Sequence, residues 1–146
     1  MIPSDIRPDP PPRPSTRELY RKINEAKRLL QVGRWRPVNV LKMQANWEEI
    51  EQIFPTIDTS LREDQEKILA TVLNEISPEH YVGGHPPEPS YEPVVSGQDM
   101  WEFRWTSAFF GNRTMYLKFC FSKGDEISRR LYMMSLHQNR DLKNVR

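Results

Sequence analysis

"MWEFRWTSAFFGNRTMYLKFCF", residues 100–121, sets large apolar side chains at alternate positions and plants two arginines among them. In an extended chain Trp101, Phe103 and Trp105 fall on one side, and Glu102, Arg104 and Thr106 on the other. After Gly111-Asn112 the alternation resumes, with Met115, Leu117, Phe119 and Phe121 against Tyr116, Lys118 and Cys120. A period of two on both sides of a turn signal predicts a β-hairpin with strands over 100–110 and 113–121. "RRLYMMSLH", residues 129–137, follows the turn-rich "SKGDEIS" and adds a third strand. The result is an antiparallel meander with one apolar face toward a core and one face carrying Arg104, Tyr116 and Lys118, while Arg113 lies at the hairpin.

Upstream, residues 77–98 are dense in Pro and Gly and read as a loop. Thr59 or Ser60 is placed to open a helix whose stripe is Leu61, Ile68, Leu69, Val72, Leu73 and Ile76. Asn46 is placed to cap a shorter helix, "WEEIEQIF", that stops before Pro55. "WRPVNVLKM", residues 35–43, is β-prone, and the alternation of Val38, Val40 and Lys42 against Asn39, Leu41 and Met43 reads as a short strand. Ser15-Thr16 caps "RELYRKINEAKRLLQVG", an amphipathic helix with Leu19, Ile23, Ala26, Leu29 and Leu30 on one face and Gly33 at its end.

These readings predict an α+β chain: an N-terminal helix, a strand, two helices and a three-stranded meander. Residues 1–14, with six prolines, are expected to be an extended tail, 15–35 a basic helical extension and 36–146 the domain proper. A length of 146 residues suits one core. The lone thiol, Cys120, has no partner for a disulfide, which points to a reducing compartment. No apolar run matches a signal peptide or a membrane span, so a cytoplasmic protein without membrane contact is expected.

Charge is segregated. Residues 17–36 hold seven Lys/Arg against two Asp/Glu, residues 101–146 nine against four, and residues 37–100 three against twelve. Two basic blocks thus bracket an acidic one, a pattern that allows a surface for polyanions. His80 and His85 flank "YVGG" without a Cys or a spaced carboxylate, and "VGGHPPEP" lacks the Lys of a phosphate loop. Neither a metal nor another cofactor is expected.

A strand, two helices, a loop and a meander that begins "MWEFRW" and continues "GNRTMYLKF" resembles the RelE/HigB-like toxins of type II toxin-antitoxin systems, within the RelE/ParE superfamily. "RLYMMSLHQNR" is similar to their last strand, and the resemblance covers roughly residues 36–143. Arg140 and Lys143 stand apart where members tend to pair lysines, and the first 35 residues lie outside the pattern. The resemblance implies a metal-independent endoribonuclease acting on mRNA, ribosome-associated and neutralised by an antitoxin protein.

Such cleavage must take a proton from a 2′-hydroxyl, hold charge on the phosphoryl oxygens and protonate the leaving oxygen. Arg104 and Arg113 suit the charge, because a guanidinium donates a planar fork to phosphate. His137 suits proton transfer, and the resemblance adds Arg140 to this catalytic set. Tyr116 and Tyr132 could stack bases, with Lys118 and Lys143 on the backbone. The competing reading is a non-catalytic module that binds nucleic acid or protein through the same fold. The basic N-terminal helix would then serve a partner or a homo-oligomer.

Overall fold

The hydroxyl of Ser15 accepts the N–H of Glu18 at 3.0 Å and starts helix α1, Thr16–Gln31. The helix stops where Gly33 takes a φ of 75°, a left-handed turn that a residue without Cβ adopts freely. Its apolar residues Leu19, Ile23, Ala26, Leu29 and Leu30 are buried in the main core. The computed structural model describes residues 13–139, so most of the proline-rich stretch, Arg140 and Lys143 lie outside the described residues.

Strand β1 is shorter than the alternation predicts, covering only Trp35–Pro37. The expected strand over 35–43 gives way because Asn39, not Asn46, is the cap: its side chain accepts the N–H of Lys42 at 3.0 Å and opens α2, Val40–Ile53. Met43, Trp47 and Ile50 then repeat at helical spacing toward the core, and this burial outweighs the β-propensity of Val38 and Val40. Asn46 is buried inside the helix.

Helix α3, Arg62–Glu75, has Leu61 at its cap position without a side-chain bond. Thr59 and Ser60 are engaged elsewhere. Thr59 donates both its backbone N–H and its hydroxyl to Glu51, and Ser60 bonds Asp58. Glu63 and Asp64 in the first turn complement the positive end of the helix instead. Ile68, Leu69, Val72 and Leu73 face the core.

Strands β2 (Trp101–Ser107), β3 (Arg113–Phe121) and β4 (Leu131–Gln138) form consecutive antiparallel pairs, and β1 joins β4 in parallel, giving the order β1-β4-β3-β2. β2 ends earlier than predicted because the N–H groups of Phe110 and Asn112 turn back onto Ser107, while Phe110 itself is fully buried in the turn. The helices cover the inner sheet face, which carries Phe103, Trp105, Met115, Leu117, Phe119, Phe121, Leu131, Met133 and Leu136. On the outer face a smaller cluster joins Cys120, Tyr132 and Met134 to Val95 of the 77–100 loop.

Both sheet edges are covered in part. Beyond β1 the N–H of Leu136 donates to Asn46 and that of Gln138 to Glu49, so α2 side chains take the place of a strand. On β2, Tyr81 bridges Phe103 and the N–H of Val82 donates to the Glu102 carbonyl.

Candidate nucleic-acid interface

Strand register decides which functional candidates meet. Arg104 pairs across to Tyr116, and Tyr116 pairs across to His137. Direct partners in a sheet share a face, so these three side chains form one transverse row on the outer face, spanning two strand spacings or roughly 10 Å. Glu102, Lys118 and Ser135 form the next row by the same pairing.

Within this patch the Tyr116 ring stacks on His137 with centroids 5.2 Å apart, and its hydroxyl donates to the Glu102 carboxylate. Burial, then the hydrogen bond to Glu102 and the charges of Glu102 and Glu88, push the Tyr116 phenol far above its ordinary range. At neutral pH it is therefore a fixed neutral donor and not a base. Arg104 is exposed beside it, Lys118 is half-buried, and His137 is half-buried with Nδ1 2.8 Å from the carbonyl of Gln138.

Two predicted members lie elsewhere. Arg113 carries the parity of Met115 and Leu117, so it projects from the helix side of the sheet. Its guanidinium stands 5.6 Å over the Phe54 ring, and Nη1 lies 3.5 Å from Gln138 Oε1. It does not join Arg104. Tyr132 is buried in the outer cluster with Cys120, Met134 and Val95, where its ring has no open face for a base. The loop residue Val95, fully buried, is what covers it, and loop closure over that end of the sheet has no local sequence signal.

Glu102 was missed as a functional residue, although its alternation with Arg104 placed it on the right face. Its bond to Tyr116 depends on the register, which sequence alone leaves open. The patch therefore combines a carboxylate, a histidine, a guanidinium, an ammonium and a tyrosine donor. That set can hold a phosphodiester and move protons at its two ends.

Among the described residues, no group of three or more His, Cys, Asp or Glu side chains is arranged to hold a metal ion. No helix among them is long and apolar enough to cross a membrane. No family model, no curated protein and no solved structure matches the chain.

Proposed function

We propose that the outer sheet face binds single-stranded RNA and cleaves it, as a toxin-type endoribonuclease of the kind the RelE/HigB resemblance implies. The observation that carries the reading is the Arg104, Tyr116 and His137 row, with Glu102 and Lys118 in the row beside it. Glu102 accepts the hydroxyl of Tyr116 and His137 stacks on its ring, so a candidate base and a candidate acid flank one side chain. Glu102 removes the 2′-hydroxyl proton, the 2′-oxygen attacks phosphorus, and the P–O5′ bond breaks as His137 protonates the departing oxygen. A 2′,3′-cyclic phosphate and a 5′-hydroxyl result. Arg104 and Lys118 hold the charge on the phosphoryl oxygens. In this reading the target is mRNA at the ribosome, and a partner antitoxin silences the chain.

A second reading, binding without cleavage, is favoured by the position of Arg113 on the opposite face, which leaves the patch one arginine fewer. Inducible expression of the wild-type chain and of Arg104→Ala and His137→Ala separates the two, with growth followed and message ends mapped by primer extension. Growth arrest with new message ends, absent in both variants, supports cleavage. Intact messages together with RNA binding that Arg104→Ala abolishes would leave the binding module.

A further inference from the structure

A second basic surface lies on α1, away from the sheet row. Arg17, Arg21, Asn24 and Arg28 are all exposed, and helical geometry places them within roughly 60° of one another around the axis, with Arg17 and Arg28 roughly 16 Å apart along it. The β3–β4 connection, residues 122–130, is laid against this helix. Arg28 donates to the Glu126 carbonyl at 2.8 Å, Arg34 to the Ser128 carbonyl, and Arg129 forms a bidentate pair with Glu25. The same connection adds exposed Lys123 and Arg130.

Glu126 sits among these arginines as an internal counter-ion. Its carboxylate lies 3.2 Å from Arg21, and the two side chains are 67% and 59% exposed. A pair so open to water contributes little to stability and exchanges readily for another anion.

We infer that the Arg17, Arg21 and Arg28 stripe, with the 122–130 connection, grips the phosphates of base-paired RNA, and that Glu126 competes with those phosphates for Arg21. The inference rests on the reading of the chain as directed to RNA. A duplex fits better than a single strand, because the stripe offers guanidinium groups at helical spacing, whereas the one exposed aromatic on α1 and the 122–130 connection is Tyr20 at the edge of the stripe, too little to stack successive unpaired bases. A lipid surface fits less well, since Tyr20, Val32 and Ile127 are the exposed large apolar residues on α1, its cap and the connection, far less than the apolar face an interfacial helix inserts.

The test uses the full chain, fluorescence anisotropy and a labelled RNA duplex of about 16 base pairs, the span that shape-reading duplex binders cover. Arg21→Ala/Arg28→Ala is expected to weaken duplex binding about tenfold and to flatten the dependence of log K on log salt by about 2. Glu126→Gln is expected to tighten it a few-fold, and cleavage of a short single strand is expected to be unchanged in both variants. Equal duplex affinity in wild type and the double variant would overturn the inference. So would binding to phosphatidylserine vesicles with none to the duplex. Loss of duplex binding in the double variant from a wild type that cleaves nothing would sustain this surface and remove the sheet-face reading.

Discussion

The side-chain oxygen of Asn46 accepts the backbone N–H of Leu136 at 2.8 Å, joining α2 to β4 across 90 positions of sequence. Asn46 is 5% exposed and Leu136 fully buried, so water cannot replace the bond. Asn46→Ala is expected to cost about 1–3 kcal/mol, the penalty of an orphaned buried donor. Urea unfolding checks it: the midpoint should fall with an unchanged m-value.

Glu75 closes the other end of the sheet. Its carboxylate accepts from the Trp105 indole at 2.9 Å, the Ser107 hydroxyl at 2.6 Å and the Phe109 N–H at 2.9 Å. Burial opposes ionisation, but the hydrogen bonds from Ser107, Trp105, Phe109 and Ala108 outweigh it and hold the carboxyl below its usual value. A depressed folded value stabilises the protein above the ordinary glutamate pKa of about 4.3, and that contribution is lost as pH falls through the folded value. Thermal melts between neutral and acid pH should therefore show the gap between wild type and Glu75→Gln narrowing on the acid side. A gap that stays constant would refute this role.

Two phenols report the alkaline limit. Burial, then the charge of Glu102, pushes Tyr81 up to about 12, and Tyr116 lies higher still. Raised folded values mean a stabilising contribution that is complete below the ordinary phenol pKa of about 10 and is lost as pH rises through the folded values. In a phenolate absorbance titration, Tyr116→Phe should remove a late-ionising step and leave the early ones in place.

At the hairpin, Gly111 and Asn112 have φ of 65° and 64°. A Cβ at Gly111 would meet Phe54 at an ordinary 3.6 Å, so the penalty of Gly111→Ala is one of backbone conformation. It should be about 1–2 kcal/mol, whereas Asn112→Gly should be neutral or stabilising. Chemical denaturation of both variants decides the point.

Much of the meander was legible because one buried face imposes a strict period on β2 and β3, and a slip of one residue would turn Phe103 and Leu117 into water. α2 was misread at its start because Asn39 and Asn46 carry the same cap chemistry. What separates them is a strand edge 90 positions away, to which a local pattern is blind. The candidate site was legible only in part, for the same reason. Arg104, Tyr116 and His137 could be named, but the pairing that ranks them in one row, and turns Arg113 to the other side, belongs to the register.

The covering of the two sheet edges bears on how copies of this chain can meet. β1 is three residues long and ends in Pro37, which has no N–H to offer, and Asn46 and Glu49 occupy donors of β4 beyond it. Tyr81 and Val82 occupy part of β2 on the far side. Strand addition, the usual route by which exposed β-edges recruit one another into aggregates, is blocked at these positions. The chain can thus leave Arg104 exposed on its outer sheet face while limiting the growth of the sheet itself.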